Sequence, residues 1–230
     1  MSDLAVTVRL AARALARAGL VHAYGHCSAR IDADRFLVCP PVPMGLTEPG
    51  AACVEVPVEG PLPDGVLGEV RLHQRIYASR PDAGGVTRFM GPNAMALCAL
   101  GVVPAMRHGF GAYFAPEVGY WSDPQLVRDD ARADGAIAAM GPGAGLLMRG
   151  NGAVTAGASL REATVLAWYL EDMCRVELAA RSAGLADAPA LTAADAEARA
   201  TRAGLIIERM WDHLTAGDPE KPNEHKDGTR

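Results

Sequence analysis

Apolar residues at Leu4, Val8, Ala11 and Leu15 recur at helical spacing, Ser2 is placed to cap the start and Gly19 to stop it, so the chain opens on an amphipathic helix. Ser28 to Ile31 and Arg35 to Cys39 flank Asp32-Ala33-Asp34 and read as a hairpin of short strands, after a loop at Ala23 to Ser28. The prolines of Pro40 to Gly50 exclude that segment from a ladder, and Ala52 to Val58 alternates as a further strand. The period turns helical from Leu67 to Arg80, and Gly85 to Phe89 reads as a buried strand. A short helix follows over Asn93 to Leu100, then strand and loop from Gly101 to Pro116, then a helix from Pro124 to Met140. Gly145 to Met148 and Ala153 to Ala156 read as strands around the turn Arg149-Gly150-Asn151-Gly152. Ser159-Leu160-Arg161-Glu162 is a capping box opening a long helix to about Ala183, and Thr192 to Leu214 is a final helical stretch. Strand and helix signals alternate without a repeat, which predicts an α/β layered domain over residues 1–216 and a disordered tail over 217–230.

Composition narrows the function. The chain has 230 residues, half of them hydrophobic, which suits one globular domain of ordinary size. Its net charge of −5, without a block of like charges, argues against nucleic acid and anionic membrane and for a small-molecule or protein partner, of which a small-molecule substrate is the one expected. Five cysteines with no C-x-x-C pair suit free thiols in a reducing compartment, and Arg9, Arg13 and Arg17 interrupt the apolar start, so a cytoplasmic protein is expected.

Several residues could carry chemistry, each with a structural reading beside the functional one. Glu69 and His73 lie four apart on the predicted helix and share the face of Leu72 and Ile76, where a carboxylate could move protons or simply join an ion or hydrogen-bond pair. Gly25-His26-Cys27-Ser28 offers amides, an imidazole and a hydroxyl for an anion, or merely a turn that needs glycine. His108 lies in a Gly-rich, partly aromatic loop, and the stretch from His108 to Trp121 is expected to wall the site or contact another subunit. No P-loop or dinucleotide fingerprint is present, and no H-x-H, H-E-x-x-H or Cys cluster supplies metal spacing.

The order of the motifs is more specific than any one of them. Gly25-His26-Cys27-Ser28-Ala29-Arg30 precedes Arg35-Phe36-Leu37, and Glu69 with His73 leads to Ile76-Tyr77 and Arg80-Pro81-Asp82. Leu147-Met148-Arg149-Gly150-Asn151-Gly152-Ala153-Val154 then stands before Gly157, Ser159-Leu160 and Glu162-Ala163. Over about residues 4 to 181 this resembles the class II aldolase/adducin family, closest to its branch of decarboxylases of hydroxylated aromatic and heteroaromatic acids. The resemblance implies a three-layer α/β/α domain around a mainly antiparallel, mixed sheet, assembled as a homo-oligomer, a tetramer with sites between neighbours. It also implies a divalent metal held by three histidines, two in a His-x-His and one in a late turn, beside a proton-moving glutamate. Position by position, Glu69 matches that carboxylate and His73 the histidine one helical turn on, but the metal histidines are replaced by Arg88-Phe89-Met90 and Asn151.

No metal and no cofactor are therefore expected, since Met and Asn are poor ligands and Arg is a permanent cation. The reading is a metal-independent carbon-carbon lyase of decarboxylase or retro-aldol type, with Arg88, aided by Arg149 or Arg107, in place of the metal and Glu69 as proton shuttle. In it Asn151 orients a small carboxylated or hydroxylated substrate, His26 and Ser28 bind its anionic end, and His73 and His108 are further acid/base candidates. The alternatives are a non-catalytic adducin-like binding or assembly module, and an isomerase or cyclase on the same fold.

Overall fold

A computed structural model describes residues 3–221. Helix α1 (Asp3–Arg17) lies beneath a sheet whose first strands are β1 (His26–Arg30), β2 (Arg35–Val38) and β3 (Val54–Pro57). A 3-10 turn, Gly68–Val70, runs into α2 (Arg71–Ser79), followed by β4 (Gly85–Phe89) and α3 (Pro92–Leu100). Then come β5 (Gly119–Trp121), α4 (Asp130–Met140), β6 (Gly145–Met148), β7 (Gly152–Gly157) and α5 (Leu160–Ser182), with α6 (Ala193–Arg199) and α7 (Ile206–Thr215) at the end. The seven strands form one sheet in the order β3-β2-β1-β4-β7-β6-β5, antiparallel throughout except for the parallel β5–β6 pair. This is the expected three-layer architecture around a mixed sheet.

Strand alternation sends side chains into two cores. Val86 and Val154 pack toward α2 and α4 with Leu72, Ile76 and Ala136, while Cys27, Phe89 and Ala153 pack toward α1, α3 and α5 with Leu15, Leu97 and Leu166. The central strands β1, β4 and β7 are buried almost throughout, so they show no alternation of hydrophobic and polar residues in the sequence. Arg88 and His26 are opposed in register across β4 and β1, and Val154 of β7 stands opposite Arg88 on its other side. Among the described residues no helix is long and apolar enough to cross a membrane.

The structure shifts several predicted elements. β1 starts at His26, inside the expected loop, because His26 pairs with Arg88. The segment 101–116 holds no strand, only a 3-10 turn at Gly111–Phe114, and β5 follows it as three residues too short to signal themselves. α4 begins at Asp130 rather than Pro124, because the Asp129 side chain accepts from the Arg132 amide as the cap. At α5 the Ser159 hydroxyl caps the Glu162 amide as expected, but Glu162 reaches back to the Ala158 amide and also holds Arg202. The final helical stretch is split into α6 and α7 by left-handed Gly204 and Leu205, with φ of 71° and 57°. Ser2 and residues 222–230 lie outside the described residues.

The expected disorder from 217 onward is corrected for Gly217 to Lys221. Asp218 is buried and joins Arg13 at 2.6 Å and Arg17 at 2.8 Å, and Glu220 joins Arg9 and Arg13. The arginines that break the apolar stripe of α1 recur every four residues, so they form one ladder that two carboxylates of this segment close.

Candidate active site

Three of the predicted residues converge at one end of the central strands. Arg88 Nη2 donates to Asn151 Oδ1 at 2.5 Å, and Asn151 Nδ2 donates to Glu69 Oε1 at 3.0 Å. The guanidinium and the Glu69 carboxylate are 3.7 Å apart. Arg88 is buried near the end of β4, whereas the Glu69 side chain, in the turn before α2, remains 19% exposed. Burial pushes the Arg88 guanidinium down from its ordinary range and Glu69 pulls it back, which leaves a fixed cation.

Two glycines let the chain approach this closely. Gly152 has φ of 81°, and a Cβ there would stand 2.2 Å from the Phe89 carbonyl oxygen, so only glycine sets Asn151 against β4. Gly25, with φ of 146°, would place a Cβ 2.6 Å from Val21 and 3.2 Å from the Arg88 carbonyl, at the entry to β1.

A second group lies alongside, on the same face of the sheet. His26 Nδ1 is 2.8 Å from His73 Nε2, and His73 Nδ1 is 2.6 Å from Ser28 Oγ. Ser28 Oγ is in turn 2.9 Å from the Tyr77 hydroxyl, which donates to the Ser28 carbonyl at 3.0 Å. All four residues are buried. Burial lowers both imidazoles, with Arg88 pushing the same way, and His73 is held at about 3, so both are neutral at ordinary pH.

The remaining candidates are placed differently. Ser28 spends its hydroxyl on Tyr77 and His73, so it is not turned toward an anion as expected, and a neutral His26 is no anion site either. His73 does not pair with Glu69 but with His26 and Ser28. His108 faces Asp172 of α5 at 3.6 Å, and Phe110 stacks on Tyr169, so the loop from His108 covers the opposite layer rather than walling this site. Arg107 is held there as well, by Glu177 and by the Ala186 and Ala188 carbonyls. The Arg149 side chain is exposed and makes no hydrogen bond or ion pair with a described residue. Cys27 points to the α1 layer, where burial raises its thiol well above the ordinary range. Tyr77 was legible only as part of a motif; its position four residues after His73 puts both on one helical face.

The residues at the three metal positions do not fit a divalent ion. Arg88 is cationic and already takes the Asn151 oxygen, Met90 is a thioether, and the described residues contain no group of three His, Cys, Asp or Glu side chains able to hold a metal. A cleft of about 580 Å³ lies at the other end of β7, lined by Gly157, Arg80, Tyr113 and Arg202, away from these residues.

The fold and the motif positions are those of a known family, and the chain belongs to it: the Class II Aldolase and Adducin N-terminal domain model matches residues 7–178. The chain is 32% identical over 197 residues to the 3,4-dihydroxyphthalate decarboxylase of Terrabacter sp. (strain DBF63), covering 77% of this chain and 81% of that protein. It is 31% identical over 202 residues to the 3,4-dihydroxyphthalate decarboxylase of Arthrobacter keyseri, covering 77% and 78%. Among solved structures, an aldolase II superfamily protein from Pseudomonas syringae superposes with a TM-score of 0.76 at 24% identity, over 92% of this chain and 90% of that one, a likeness of fold.

Proposed function

We propose that the chain is a lyase that decarboxylates a small hydroxylated acid without a bound metal ion. The decarboxylase relatives support the reaction type. The observation that carries the metal-independent form is the Arg88–Asn151–Glu69 arrangement, a buried cation hydrogen-bonded through an amide to a half-buried carboxylate where the family resemblance implies metal ligands.

In this mechanism Arg88 faces the substrate oxygen on which negative charge develops, and it does so already oriented by Asn151. The bond to the carboxylate breaks, carbon dioxide leaves, and the electron pair stays on the substrate carbon. A proton drawn from water passes to that carbon by way of Glu69, whose side chain is partly exposed. The products are carbon dioxide and the acid's carbon skeleton with hydrogen in place of the carboxylate.

The test is turnover of a panel of hydroxylated aromatic and aliphatic acids by the wild-type chain, Glu69→Gln and Arg88→Ala. The expected losses are about 10²- to 10⁴-fold for the proton carrier and about 10²- to 10³-fold for the cation. Unchanged turnover in both variants refutes the assignment, and absence of turnover across the panel favours the binding-module alternative.

A further inference from the structure

Nε2 of His26 and Nε of Arg88 are buried and have no hydrogen-bond partner in the described structure. They belong to residues directly opposed across β1 and β4, where Cβ atoms lie about 5 Å apart. Leaving two buried polar atoms unpaired costs roughly 1–3 kcal/mol each, so the arrangement asks for something that satisfies both. The Arg88 nitrogen is always a donor; the His26 nitrogen is a donor or an acceptor according to its tautomer.

That tautomer follows from a chain of hydrogen bonds with one fixed end. The Ser28 carbonyl can only accept, so the single Tyr77 hydroxyl proton goes to it, at 3.0 Å. The 2.9 Å contact is then Ser28 Oγ–H donating to the Tyr77 oxygen. With its proton committed, Ser28 Oγ accepts from His73 Nδ1–H at 2.6 Å, and His73 Nε2 accepts from His26 Nδ1–H at 2.8 Å. A neutral imidazole has one N–H, so His26 Nε2 is left as a bare lone pair.

We propose that His26 Nε2 and Arg88 Nε form a subsite for a substrate hydroxyl, with His73, Ser28 and Tyr77 as positioning residues that hold His26 in its acceptor tautomer. A hydroxyl accepts from Arg88 and donates to His26, so it satisfies both orphaned atoms. A carboxylate would satisfy the guanidinium but set two acceptors against each other at His26. The subsite thereby separates a phenol-like or enol-like oxygen from an acid group. It rests on the lyase reading for the identity of the ligand as a substrate, whereas the tautomer stands without it.

The experiment is long-range proton–nitrogen correlation NMR on the full chain with ¹⁵N-labelled histidine at neutral pH. Both His26 and His73 are expected as Nδ1–H imidazoles with unprotonated Nε2. Catechol is expected to move the His26 Nε2 resonance, and the same concentration of benzoate to leave it in place. Tyr77→Phe removes the acceptor for the Ser28 proton, which then turns to His73, reverses the chain and puts the proton on His26 Nε2; catechol binding should weaken about tenfold. A protonated Nε2 in the wild-type chain, no response to catechol, or an equal response to benzoate overturns the proposal. Should Tyr77→Phe fail to fold, the wild-type spectrum and the two ligands decide it alone. Absent turnover with the tautomer and the catechol response intact refutes the lyase reading and leaves the subsite standing.

Discussion

Lowering the pH from 7 to 5 should weaken the fold through the two buried imidazoles. His73 is held at about 3 and His26 well below its ordinary value, because burial and the Arg88 charge oppose a proton on either ring. In the unfolded chain each titrates at about 6.5. The folded value lies below the unfolded one, so the stabilisation is complete above about pH 6.5 and drains as the pH falls toward the folded value. At pH 5 the unfolded chain binds both protons and the folded chain resists them, a loss of about 2 kcal/mol for His73, to which His26 adds in the same direction. Against a typical total of about 5–15 kcal/mol that is a large share. Asp218 and Glu220, both lowered to about 2, act in the same direction but in a lower window, below about pH 4, so they do not contribute here. His108 is also lowered, and it is retained in the control. The assay is urea unfolding at both pH values for the wild-type chain and for His26→Asn/His73→Asn, whose pH dependence should fall to less than half. Equal wild-type stability at pH 7 and 5 would refute the claim that the pair is buried neutral.

Asp218→Asn leaves the buried Arg13 without its closest carboxylate and should cost about 3 kcal/mol in chemical denaturation, as should truncation after Ala216; a tail that merely drapes over α1 would show no change. Gly152→Ala should destabilise by about 2–4 kcal/mol and displace Asn151, so turnover should fall with stability; a variant as stable as wild type contradicts the close approach to Phe89. Elemental analysis of the active protein should find no stoichiometric transition metal, and prolonged chelator treatment should leave turnover unchanged. Activity restored only by an added divalent ion would refute the metal-independent reading.

Much of the architecture was legible in the sequence because it is written in local patterns. Helical spacing in α1 and α5, the Ser159 cap and the glycine turn between β6 and β7 depend on neighbours a few residues apart, and they stand where the pattern places them. Arg88, Met90 and Asn151 could also be read against a motif, at the positions where the family resemblance implies metal-binding histidines. Short or irregular elements were not: β5 has three residues, and the break between α6 and α7 depends on left-handed Gly204 and Leu205.

What only the tertiary structure decided is which polar groups meet. Glu69 and His73 are neighbours in sequence, yet one turns to Asn151 and the other to His26 and Ser28, because the turn before α2 ends over the β6–β7 loop while α2 itself lies on β1. Arg107 and His108 have the residue types for a site but belong to the α5 layer, as strand alternation and helix placement dictate. Asp218 and Glu220 read as part of a polar tail until the arginine ladder of α1 is placed opposite them. Sequence determines a residue's chemistry and its local backbone preference; partners separated by tens of residues are set by the packing of layers, and at this site those partners decide which atom donates and which accepts.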